Sequence, residues 1–140
     1  MDNILILMFI AILFVGALML VIIATTRRPS KKLDVERYEE RMKQIEALLE
    51  RKDSSANHMA VINADKLLDS ALKDKGVRGS NMGERLKNSS QSFTNLNSIW
   101  TAHKLRNRIA HEDNVTVSDE QARRALNTFR SGLRDLGALR

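Results

Sequence analysis

The sequence has no cysteine and one proline, and beyond residue 24 it holds one tryptophan, one tyrosine and two of its four phenylalanines. Without cysteine, disulfides and thiolate chemistry are excluded, which fits a reducing compartment. With so few aromatics the folded part can bury only a modest core. Charge is missing altogether from Ile4 to Ala24, and so are Asn, Gln and Pro. At a helical rise of about 1.5 Å per residue that run spans roughly 31 Å, the thickness of a bilayer's hydrocarbon. A core helix in so short a chain would show a polar face, and this one has none. A cleaved signal peptide is the competing reading. No Lys or Arg precedes the run, it is too long for a signal's apolar region, and no small-x-small site follows it. Residues 4–24 are therefore expected to be a transmembrane helix whose partner is the lipid bilayer.

The flanks set the expected orientation. Before the span stand only Met1, Asp2 and Asn3, whereas Arg27, Arg28, Lys31 and Lys32 follow it. The positive-inside rule places the C-terminal side in the cytoplasm and the N-terminus outside, making a single-pass membrane protein. Residues 25–32 read as a basic juxtamembrane linker, because Pro29 disfavours helix at Arg28. The same cations suit anionic headgroups, although a topology signal is their commoner role.

Residues 33–140 are the length of one ordinary domain. The chain has 23 basic and 17 acidic residues, and one of the acids, Asp2, precedes the span, leaving 23 against 16 or a formal +7 beyond it. That excess suits a polyanion, RNA or an anionic membrane surface, without choosing between them. Helical periodicity dominates. Val35, Tyr38, Met42, Ile45 and Leu49 recur at 3-4-3-4 spacing, and Glu39 with Lys43 is a favourable i,i+4 pair. This helix is either the surface of a bundle or a dimeric stalk. A second helix is expected over about 55–75, with Met59, Ile62, Leu67, Leu68, Ala71 and Leu72 as its apolar stripe. Gly76, Gly79 and Gly83 mark a turn; a phosphate loop would need a preceding strand and a Gly-Lys-Ser/Thr ending, and both are missing. A short helical piece follows around 84–87. Thr94 or Asn95 can cap a third long helix over 96–111. Ser118 and Gln121 form a capping box for the last, which Gly137 ends. The expected fold is all-α: one transmembrane helix, then a small four-to-five-helix bundle.

On a wheel of about 100° per residue the helix over 96–111 shows two non-solvent faces. Ala102, Leu105 and Ile109 form the ordinary core side. Roughly opposite lie Leu96, Trp100, His103, Asn107 and His111, half apolar and half polar. Such a helix is usually sandwiched, and a second copy of the domain would cover its outer face as a homodimer. His103, Asn107 and His111 succeed one another at i,i+4 along that face, and Arg106 reaches it from the side. Arginine can grip phosphate oxygens bidentately and imidazole can move protons near neutral pH, which is what phosphodiester cleavage requires. Trp100 reads as core or interface before it reads as a base-stacking platform. His103 and His111 are too hard to aim at one ion across two turns to make a zinc site, and no Cys assists, so no metal or cofactor is expected.

Arg106-Asn107-Arg108-Ile109-Ala110-His111 resembles the R-x4-H motif of the HEPN superfamily (higher eukaryotes and prokaryotes nucleotide-binding domains). The placement agrees: late in a long helix of a small bundle, with one more helix after it. The resemblance covers roughly residues 33–140, and its specific part is these six residues. It implies a domain that acts on or binds RNA, the catalytic members of the family being metal-independent endoribonucleases that dimerise to bring two motifs into one cleft. The 2′-hydroxyl attacks the adjacent phosphate and leaves a cyclic phosphate and a free 5′-hydroxyl. His111 would then be the general acid or base, Arg106 the phosphate clamp, and Asn107 would orient one of them. His103 lies outside the family motif and is assigned a supporting role. The competing expectation is a non-catalytic, membrane-anchored dimerisation or protein-interaction module using the same helix. A third is a scaffold whose basic surface lies on anionic lipid.

Overall fold

The computed structural model describes residues 2–26 and 32–140; residues 27–31, most of the basic linker expected over 25–32, lie outside the described residues. The chain divides into two units, residues 1–30 and 31–140. In the first, Asp2–Thr26 is a single helix, α1. Its stretch Asn3–Ile23 is long and apolar enough to cross a membrane.

The second unit is all-helical among its described residues: α2 (Val35–Ala47), α3 (Ser54–Asp74), α4 (Met82–Asn88), α5 (Leu96–His111) and α6 (Asp119–Asp135). Each of these begins on a side chain that accepts an otherwise orphaned backbone N–H. Asp34 takes Arg37 N at 3.1 Å and Asp53 takes Ala56 N at 2.7 Å. Asn81 takes Glu84 N at 2.9 Å and Asn95 takes Ser98 N at 3.0 Å. Ser118 and Gln121 make the reciprocal capping box, at 3.2 and 3.0 Å. Such a cap typically contributes about 1 kcal/mol. Two helices end in the same left-handed closure. At Gly76 (φ 80°) the Val77 N–H returns to the Leu72 carbonyl, and at Gly137 (φ 74°) the Ala138 N–H returns to Leu133. The expected second helix starts one residue earlier than its apolar stripe suggested because Asp53 caps it. The short piece expected over 84–87 is longer because Asn81 does the same for α4.

α3 is the centre of the bundle and packs against α2, α5 and α6. Its Ala60, Val61, Ala64, Leu68, Ala71 and Leu72 are fully enclosed, together with Phe129 and Leu133 of α6. Met59, expected on the stripe, sits at its edge and is 53% exposed. α2 lies on the bundle through Tyr38, Met42 and Ile45, all buried, so the stalk alternative does not hold within this unit. Arg130 of α6 also donates to Glu46 of α2. Glu39 turns to the chain end, where it accepts the Arg140 N–H at 3.4 Å.

Tyr38 gives this packing a spectroscopic reporter. Its hydroxyl donates to Asp74 Oδ2 at 2.8 Å, from a ring only 1% exposed. Burial pushes the phenol up to about 12, the Asp74 hydrogen bond adds to the rise, and neighbouring Arg37 opposes it. The unfolded phenol ionises near about 10. Between those values the native state holds a proton that the unfolded chain has lost. The phenol's contribution to stability is therefore complete below the unfolded value and disappears as pH rises through the folded one. Tyr38 is the only tyrosine, so phenolate absorbance of the full chain in micelles reads it alone. A midpoint close to the free-tyrosine value would show that α2 does not seal the ring.

Candidate functional site

The site forms where α5 crosses α3 beside the N-terminal turn of α4. Ile99 and Ala102 turn to the core and are buried, while Leu105 and Ile109 are half-buried against it. The opposite face is not left open at His103, because α3 supplies a carboxylate to it. His103 Nδ1 lies 2.7 Å from Asp65 Oδ1, and the two residues are 8% and 3% exposed. A carboxylate can only accept, so the hydrogen-bond network assigns the imidazole proton to Nδ1. His103 Nε2 then faces Asn107 Nδ2 at 3.2 Å as an acceptor. The amide's other end, Oδ1, accepts from Arg106 Nη1 at 3.0 Å. Arg106 Nε comes back to Asp65 Oδ2 at 3.5 Å, an ion pair without a hydrogen bond. Asp65, His103, Asn107 and Arg106 thus close a ring of four side chains.

Trp100, one turn before His103, meets its ring edge to face at 5.9 Å between centroids. Gly83 of α4 passes close by: a Cβ placed there would stand 3.4 Å from the Trp100 ring. The ring of four opens onto a cleft of about 640 Å³, whose walls include Trp100, Lys66, Lys104 and the Arg85–Asp69 pair. That pair is bidentate, at 2.6 and 3.1 Å, and Arg85 also donates to the Gly79 carbonyl. Burial alone would raise the Asp69 carboxyl, but the hydrogen bonds from Arg85 and Lys73 outweigh it and hold the group below its usual range.

The expected site residues therefore separate. His103, Arg106 and Asn107 come together in one cleft, with Asn107 bonded to both the others. His111, the last residue of α5, is exposed and does not line that cleft. Trp100 is half-buried against the domain's own helices. Asp65 was missed from the sequence, yet it left a signal. It falls within about 60° of Val61, Leu68 and Leu72 on the α3 wheel, inside the apolar stripe. An acid in that position needs a partner when buried. With this geometry in hand, no family model, curated protein or solved structure matches the chain.

Proposed function

We propose that this chain is a membrane-anchored, HEPN-type domain that acts on RNA at the cytoplasmic face and cleaves it without a metal ion. The observation that carries the reading is the fixed guanidinium of Arg106, held by Asp65 and Asn107 at a cleft, on the same helix as an exposed imidazole at His111. A pre-oriented arginine meets phosphate oxygens with little reorganisation, and an exposed histidine is free to exchange protons. The formal +7 beyond the span draws the polyanion in. The cations after the span, Arg27, Arg28, Lys31 and Lys32, favour the cytoplasmic orientation.

In this reading two copies share one cleft. His111 of one copy takes the proton from the 2′-hydroxyl, the 2′-oxygen bonds to phosphorus, and the bond to the 5′-oxygen breaks. The leaving oxygen takes its proton from His111 of the second copy. The products are a cyclic phosphate and a 5′-hydroxyl. His103 is not the acid or base, because both its nitrogens are engaged inside the ring.

The test uses the full chain in nanodiscs of neutral lipid, mixed RNA and EDTA, with mass measured by light scattering. Wild type is expected to leave cyclic phosphate ends. His111→Ala is expected to lose about 10²–10⁴ of the rate and Arg106→Ala about 10²–10³. A second reading, a non-catalytic module that uses α5 to hold a partner, is favoured by the separation of His111 from the Arg106 cleft. Intact RNA from a folded, dimeric wild type would select it.

A further inference from the structure

The ring of four has a single self-consistent proton arrangement, and that arrangement has a direction. With its proton on Nδ1, His103 presents Nε2 as an acceptor. Asn107 must then turn its Nδ2 toward the imidazole, which leaves Oδ1 aimed at Arg106. Were His103 doubly protonated, Nε2 would donate, the amide would have to flip, and its Nδ2 would confront the Arg106 N–H groups. Asp65 thus determines the orientation of a guanidinium it does not hydrogen-bond. Satisfying a buried carboxylate does not account for this by itself. His103 gives the carboxylate its hydrogen bond at 2.7 Å and Arg106 its counter-charge at 3.5 Å, whereas the chain continues to Asn107, a half-exposed residue that solvent could serve.

We propose that Asp65 is the positioning residue for Arg106, acting directly through its second oxygen and indirectly through His103 and Asn107. It fixes the plane in which the guanidinium meets a phosphate. The proposal rests on reading Arg106 as the phosphate clamp, and its test is built to fail separately from that reading.

The full chain, isotope-labelled and in micelles, is examined first without RNA. Long-range proton–nitrogen spectra are expected to give His103 as the Nδ1–H tautomer, the reverse of the form a free histidine favours in water. His103→Gln assigns the signal, with His58 and His111 as internal references. The Arg106 Nε–H is expected to exchange slowly in wild type and roughly tenfold faster in Asp65→Asn, which keeps the shape and loses the charge. Asn107→Ala, at a half-exposed position, does the same without risk to the core. An Nε2–H tautomer at His103, or exchange unchanged in both variants, overturns the proposal whatever the chain does with RNA.

RNA affinity then supplies the functional arm. Asp65→Asn and Arg106→Ala are each expected to weaken binding about tenfold, and the double variant no further, because both remove one interaction. Independent losses that multiply would overturn the positioning role. If wild type binds no RNA, the functional reading fails, and the tautomer and exchange measurements still decide the claim about Asp65.

Discussion

Replacing Arg85 with methionine is expected to destabilise the helical domain by about 3 kcal/mol, the low end of what removing one partner from a buried ion pair costs. The Arg85 and Asp69 side chains are 7% and 16% exposed and meet through two hydrogen bonds. Methionine fills much of the arginine stem's space but leaves Asp69 short of its main partner and the Gly79 carbonyl short of its donor. Lys73, 2.8 Å from Asp69, limits the damage. The corner has no slack to rearrange. Gly79 sits at φ 155°, and a Cβ there would fall 2.8 Å from the Arg85 backbone nitrogen. Chemical denaturation of the full chain in micelles, followed by circular dichroism, measures the loss. Adding Asp69→Leu is expected to recover more than half of it, because the stranded charge goes too. The pH dependence has a definite sign. Asp69 is depressed in the fold, so its contribution is present above the ordinary aspartate value of about 3.9 and is lost as pH falls through the folded one. Arg85→Met should flatten that acid limb. A loss below about 1 kcal/mol would mean that Lys73 suffices and the pair behaves like an exposed one.

The contrast between such pairs and the helices shows what a sequence can and cannot convey. The helix starts at Asn95 and Ser118 and the stop at Gly137 were legible because caps act within three or four residues. The long apolar helix α1, a candidate span, was legible because length and apolarity are read directly from the residues. The packing of α2 was not, since a 3-4 apolar repeat serves a bundle surface and a coiled stalk equally well. What decides between them is Tyr38 reaching Asp74 and Glu46 reaching Arg130, contacts between distant segments. The candidate site divides in the same way. Arg106, Asn107 and His103 share one helix and could be placed on one face from spacing alone. Asp65, 38 residues before His103, could be flagged as an acid in an apolar stripe but not matched to its partner. The i,i+4 spacing also overstated the continuity of that face. At about 100° per residue each i,i+4 step drifts by about 40°, so His111 lies about 80° round from His103, and one histidine is enclosed while the other is exposed.

The largest core effect is expected at Leu68, and its size is tied to a glycine on the facing helix. Leu68 is fully buried at the centre of α3, where Gly132 lets α6 approach closely. Leu68→Ala is expected to cost about 3–5 kcal/mol, the transfer term plus a cavity that rigid helices cannot collapse. A Cβ at Gly132 would meet both Leu68 methyls at 3.4 Å and Ile99 Cδ1 at 3.1 Å. In wild type, Gly132→Ala therefore sets the helical preference for alanine, about 1 kcal/mol, against crowding of similar size, and the net change is small. With Leu68 already truncated, two of the three close neighbours are gone and Ile99 can swing into the space. The same glycine substitution then gains the propensity and fills part of the void. The double variant should be more stable than Leu68→Ala alone by about 1 kcal/mol, a coupling expected only of residues in contact. Equal effects of Gly132→Ala in the two backgrounds would show that α3 and α6 are not pressed together at this point.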